Sequence, residues 1–283
     1  MVLCILALLL GTSARASDQG PALVLAPTLF DSTADELRSY LEVASFIQSL
    51  TGKPVVVENY VRYEHIIDAF AAGKVDMTIL GPLPYLTLKQ RIPAATPLFR
   101  FREADGRDHY RCALVAFADD ARALKTYAGA RLALTQPFST CGYVSAAWIF
   151  REHGVDIETM SYDFLGRHDR IALSVVAGSH NLGVVRDEVA ERFRSLGVVT
   201  LAVTEPLPGF ALVVNTARLD PALVSQIREG FLRLEPGASL LRNWPRTVRH
   251  GVSPVSDADY QNVSRALASV QIPAAGKPAG AAP

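Results

Sequence analysis

Cysteine is scarce in this sequence: three residues in 283 are too few for a small domain held by a disulfide framework. A charge excess of either sign is also missing. Twenty-eight basic side chains balance 28 acidic ones, so the basic surplus that displaces counterions from nucleic-acid phosphates is not there. Charged residues make up only 20% and hydrophobic residues 49%, with a mean hydropathy of +0.19, which excludes a disordered polar chain. Beyond the first ten residues no apolar run approaches the roughly 20 residues needed to span a bilayer. What is left is a folded chain long enough for one large or two medium domains.

The apolar run from Met1 to Leu10, followed by Ala14-Arg15-Ala16, has the hydrophobic stretch and A-x-A signature of a secretory signal peptide. We assign it to residues 1–17, although no Lys or Arg precedes the run. Cys4 stands at the start of that run rather than after it, which speaks against a lipid anchor. Export would leave Cys112 and Cys141 in an oxidising compartment. At the other end, residues 271–283 are rich in Ala, Gly and Pro and read as a disordered tail.

Between these ends short apolar runs alternate with helical patterns. Ala22–Ala26, Pro54–Glu58 and Asp76–Leu80 read as strands. Ala34–Leu50, preceded by the capping residues Asp31, Ser32 and Thr33, and Tyr63–Ala72, stopped by Gly73, read as helices. This β-α-β-α-β rhythm predicts a largely parallel sheet flanked by helices. It restarts with strands at Tyr110–Phe117 and Ala130–Thr135, a helix from near Cys141, a strand at Tyr162–Leu165, a helix at His168–Ala177 and a strand at Leu182–Val185. A strand at Phe210–Val214 and a helix at Pro221–Leu234 follow. The simplest topology is an α/β protein of two lobes with a late return to the first: residues 18–108 and 205–270 in one lobe, 109–204 in the other. A cleft between such lobes, faced by strand ends and helix N-termini, suits a small ligand.

Ser139-Thr140-Cys141-Gly142 lies between a strand and a helix start, where free amides and two hydroxyls make either an oxyanion site or an ordinary N-cap. His168, in Gly166-Arg167-His168-Asp169, sits at a second such junction. Either the imidazole serves a ligand or Asp169 caps the helix. Tyr63 and Tyr85 fall at helix starts, and Tyr85 follows Gly81-Pro82-Leu83-Pro84, a glycine after a buried strand and a proline that pre-sets a first turn.

Taken together, Tyr63–Tyr85, Tyr110-Arg111-Cys112, Ser139–Tyr143, Gly166–Asp169 and Leu182–Val185 resemble, in order, the phosphate/phosphite/phosphonate periplasmic binding protein family. The resemblance implies a two-lobed type II binding-protein fold that closes around a small oxyanion. It also implies ligand contacts from Tyr63 and Tyr85 in the first lobe and from Ser139, Thr140 and His168 in the second, with no enzyme activity and no cofactor.

Two departures stand out. Asn181 occupies a place where the family usually carries Asp. Cys112 and Cys141 stand where it commonly has Ser, on segments that are neighbours in the family fold. They allow three readings: a disulfide, small buried replacements for serine, or soft ligands for a thiophilic solute such as arsenite. In the third, Cys112 and Cys141 bind arsenic, and the chain resembles an arsenite-sensing branch whose partner is a membrane sensor histidine kinase. The alternative is a phosphonate, phosphite or phosphate binder serving an ABC permease. A rival of another class is a thiol enzyme with Cys141 as nucleophile and His168 as base.

Overall fold

In the computed structural model, the structure describes residues 21–29, 33–274, 276 and 277. The segment read as a signal peptide, two of the three residues read as caps (Asp31 and Ser32) and the end of the tail lie outside the described residues. The chain runs β1 (Leu23–Pro27), α1 (Ala34–Thr51), β2 (Val55–Val57), α2 (Tyr63–Ala71), β3 (Met77–Leu80), α3 (Pro82–Arg91) and β4 (Ala95–Phe101). It continues through β5 (His109–Tyr110), β6 (Cys112–Phe117), β7 (Arg131–Leu134), α4 (Tyr143–Glu152), β8 (Ser161–Phe164), α5 (His168–Val176), β9 (Leu182–Arg186) and α6 (Asp187–Arg192). The last elements are β10 (Val198–Val203), β11 (Leu207–Pro208), β12 (Ala211–Asn215), α7 (Pro221–Leu232), β13 (Val252–Ser253) and α8 (Gln261–Ala268).

Local chemistry explains the helices that frame the cleft. Thr33 caps α1 by accepting from the Glu36 amide, and Tyr40, Val43, Ala44 and Ile47 form its buried stripe at helical spacing. Gly52, at φ 69°, ends it in a left-handed turn that a side chain would strain. The second lobe's equivalent of α1, helix α4, begins only at Tyr143 because Pro137–Gly142 is spent on a loop.

Two sheets define the two lobes. The first has the order β2-β1-β3-β12-β4-β13 and the second β8-β7-β9-β6-β10. Neither is largely parallel, contrary to the expectation from the β-α-β rhythm. β1 pairs in parallel with β2 and β3, and β7 with β8 and β9, but β12 and β6 insert antiparallel beside β3 and β9. The inserted strands are those that follow each passage between lobes, so they arrive from the opposite direction. The passages themselves, β5 and β11, pair antiparallel with Tyr110 opposite Leu207.

The lobes share a repeated unit. Arg62–Gly81 and Arg167–Arg186 correspond at a constant shift, Tyr63 with His168, Gly73 with Gly178 and Asp76 with Asn181. Both glycines have φ near 68–69°, and each follows an alanine at the helix C-terminus. The Asp76 carboxylate accepts from the Val24 amide (2.9 Å), and the Asn181 carbonyl accepts from the Arg131 amide (3.0 Å). Asn181 thus ties the start of β9 to β7, away from the cleft.

The disordered tail expected over 271–283 is corrected in its first part. Lys277 makes an antiparallel bridge with Tyr162 on the edge of β8, and its ammonium donates to the Glu158 carbonyl at 2.6 Å. An unpaired strand edge and a nearby carboxylate give this segment backbone and charge partners that composition alone does not reveal.

Candidate functional site

The loop Pro137–Gly142 is fixed on three sides. The Thr135 hydroxyl donates to the Cys141 carbonyl (2.9 Å) and the Ser145 hydroxyl to the Thr140 carbonyl (2.5 Å). A disulfide joins Cys141 to Cys112 on β6, with 5.2 Å between their Cα atoms. A Cβ on Gly142 would lie 2.6 Å from the Gln136 carbonyl oxygen, so only glycine permits this turn. The loop presents Ser139 to the opposite lobe.

Tyr63 approaches from that lobe. It is the first residue of α2, and its hydroxyl faces the side chains of Thr28 and Ser139. Burial pushes the phenol up to about 12, which keeps it a neutral donor. His168 is the first residue of α5. Its Nδ1 lies 3.3 Å from the Arg186 amide, which donates to it, so the ring proton is on Nε2. Burial, then the nearby Arg186 charge, pull the imidazole down to about 3, and it is neutral at physiological pH. Asp169 does not orient the ring: its carboxylate accepts from Arg167 Nε and Nη2, at 3.0 and 2.6 Å.

These residues converge on one small chamber of about 30 Å³, lined by Thr28, Leu29, Tyr63, Thr135, Gln136, Ser139, Gly166, Arg167 and His168. Of the residues expected from sequence, Tyr63, Ser139 and His168 meet there. Thr140 does not line it. The Thr140 hydroxyl accepts from the Leu83 amide at the start of α3 (3.1 Å) and stands by the Tyr110 hydroxyl, so it joins the lobes.

Two expectations are corrected. Tyr85 is buried away from the chamber, its hydroxyl on Asp257 (2.9 Å) and its ring 4.6 Å from that of Tyr260. At the fourth position of α3 it faces the turn that leads into α8 rather than the chamber, whereas the start of the helix meets Thr140 of the second lobe. Cys112 and Cys141 are bonded to each other, so they offer no thiolate to arsenic, nor to the substrate of a Cys141–His168 enzyme.

Sequence reasoning passed over Arg186, Glu103, Tyr110 and Gln136. Arg186 is 3% exposed, ion-paired with Glu103, with its guanidinium 4.2 Å over the Tyr110 ring. An arginine closing an otherwise apolar buried strand was the signal available. Gln136 reaches across the cleft: its amide oxygen accepts from the Tyr63 amide (3.4 Å) and its nitrogen donates to the Val61 carbonyl (3.3 Å).

Two sheets with inserted antiparallel strands, a two-strand passage and a polar chamber between lobes define a type II binding-protein architecture. The chain belongs to the family described as the periplasmic substrate-binding protein of phosphonate ABC transporters, whose profile matches residues 25–260. It is 25% identical to the phosphate-import protein PhnD of Mycolicibacterium smegmatis over 276 residues, 85% of this chain and 83% of that one. Among solved structures it is similar to PhnD1 of Prochlorococcus marinus in complex with methylphosphonate, with a TM-score of 0.75 and 14% identity over 88% of this chain and 97% of that chain. A binding-protein component of an ABC phosphonate transporter from Pseudomonas aeruginosa gives a TM-score of 0.71 and 17% identity, over 87% and 85% of the two chains.

Proposed function

We propose that this chain is an exported, periplasmic binding protein that captures a small phosphorus oxyanion between its lobes and delivers it to the permease of an ABC importer. The observation that carries this reading is the convergence of Tyr63 and His168, from helix starts of opposite lobes, and Ser139, from the loop before α4, on one chamber. Hydroxyls and a neutral imidazole N–H are donors suited to oxyanion oxygens. Contacts made from both lobes at once stabilise the closed form over the open one, which is how a ligand gives the membrane partner a state to recognise. Membership of a transport family supports a permease as that partner. The sensor kinase expected alongside arsenite loses its support with the thiol ligands.

Thermal melting with phosphate, phosphite, methylphosphonate, sulfate and acetate tests the reading. A phosphorus oxyanion should raise Tm with ligand concentration, as binding to the native state requires, while acetate does not. Ser139→Ala should weaken binding about 10- to 100-fold, the loss expected of one hydrogen bond to a charged group. Equal affinity in that variant would make the loop a helix cap and nothing more.

A further inference from the structure

Resting on that oxyanion reading, we propose that Thr28 is a further ligand contact, its hydroxyl donating from the end of β1 to an oxygen of the captured ion.

Thr28 lines the chamber and also borders an adjoining groove of about 110 Å³ that continues past Tyr60 and Arg62. It follows β1 directly, at the carboxyl ends of the parallel strands, where open α/β sheets bind their ligands. Its backbone is held on both sides. The amide donates to the Ile79 carbonyl (3.3 Å), and the carbonyl accepts from the Tyr40 hydroxyl (3.4 Å). The place of the side chain is thus set by β3 and α1 before any ligand arrives.

The second lobe shows the contrasting case, a hydroxyl that the fold itself uses. The Val24 and Arg131 amides are equivalent, donating to the corresponding residues Asp76 and Asn181, and four residues on from each stands a threonine, Thr28 or Thr135. Both threonines line the chamber. The Thr135 hydroxyl is spent within its own lobe, on the Cys141 carbonyl at 2.9 Å. Two other polar walls are also committed, Gln136 to the start of α2 and Arg167 to Asp169. Thr28 Oγ1 is buried yet has no hydrogen-bond partner among the described residues, and it faces the Tyr63 phenol outside bonding geometry. Folded proteins rarely leave a buried hydroxyl unpaired, because its hydration is lost with nothing in return. An oxyanion only accepts, so a donor proton that no protein group has claimed is what it needs. Bonding to the ion satisfies Thr28, and it does so from the lobe opposite Ser139 and His168.

Calorimetric titration with phosphate and phosphite, together with ligand-free melts, tests this. No heat from either ion in wild type that melts cooperatively would remove the oxyanion reading, and this contact with it. With binding established, Thr28→Val, which keeps the shape and deletes the hydroxyl, should weaken the better ion at least about tenfold, the loss expected of a hydrogen bond to a charged group. Thr28→Ala should show the same loss, independently of how valine packs, and Thr28→Ser should stay within about threefold of wild type because it keeps the donor. The ligand-free Tm of Thr28→Val should equal or exceed that of wild type, since no bond within the protein is lost. A smaller loss in the valine and alanine variants, a larger one in Thr28→Ser, or a lower ligand-free Tm in Thr28→Val would each overturn the contact and leave oxyanion binding standing. The loss should also persist when Thr28→Val is made in a Tyr63→Phe background. Its disappearance there would show that Thr28 acts only through the phenol, which overturns a direct contact.

Discussion

Tyr63 opens α2 in the first lobe and His168 opens α5 in the second. Each follows an arginine in extended conformation, Arg62 at φ −123° and Arg167 at φ −128°, and each precedes an acidic residue that pairs with that arginine. One backbone plan thus delivers two chemically different side chains to one chamber. Burial acts on both in the same sense: it raises the phenol and lowers the imidazole, and both become uncharged donors. The lobes differ at the end of the third strand, where Gly81 corresponds to Arg186, and in the disulfide, for which the first lobe has no counterpart among the described residues. In this arrangement a histidinium does not offset the negative charge of a bound anion. The cations nearby are Arg167, which lines the chamber and pairs with Asp169, and Arg186, balanced by Glu103.

The comparison can be broken most forcefully at the disulfide. Cys112→Ala/Cys141→Ala should lower unfolding free energy by about 2–4 kcal/mol, as loss of a cross-link over 29 residues implies. Denaturant midpoints read this, and reducing agent should destabilise the wild type but not the variant. Equal midpoints would mean that the hydrogen bonds from Thr135 and Ser145 hold the loop unaided.

An effect that is smaller over any one pH unit separates the two helix starts. His168 has a native value near 3 against about 6.5 when unfolded, so between these the unfolded chain binds a proton that the native chain does not. Stability tied to the neutral imidazole is therefore complete above about pH 6.5 and is lost as pH falls towards 3, by at most about 1.4 kcal/mol per unit. His168→Asn should flatten that acid limb. Tyr63→Phe should leave its slope unchanged, because a phenol near 12 does not titrate there. Equal slopes in wild type and His168→Asn would show that the imidazole is protonated in the native protein.

The smallest effects come from exchanging the strand-start residues. Asn181→Asp should cost about 1 kcal/mol, because the amide nitrogen that now donates to Asp120 at 3.2 Å becomes a carboxylate oxygen. Asp76→Asn should cost about half as much, since the amide oxygen can still accept from Val24. A reversed order, measured by thermal melts, would mean that Arg218, 4.0 Å from Asp76, matters more than its exposure implies.

Much of this architecture is legible in the sequence because the helices carry their own punctuation. Thr33, Gly52, Gly73 and Gly178 mark boundaries that local backbone energetics enforce. The strands β4 and β10, the antiparallel insertions and the docked tail were not legible, since each depends on a partner distant in sequence. The site divides the same way. Tyr63, Ser139 and His168 sit at strand-to-helix junctions, where position alone aims a side chain at the cleft. Tyr85 shares that kind of position, but a carboxylate 172 residues away claims its hydroxyl. Gln136 and Arg186 acquire their roles only from groups brought close by folding. The cysteines were ambiguous because a thiol and half a disulfide are the same letter.

Cys112 lies two residues beyond Tyr110, at the start of β6 just after the passage from one lobe to the other, and its sulfur is fastened to the loop bearing Ser139. The covalent path from the pivot to the binding loop is therefore a few bonds long and bypasses the whole of β7. Under the proposed function, the loop that meets the ion would therefore move with the passage rather than independently of it.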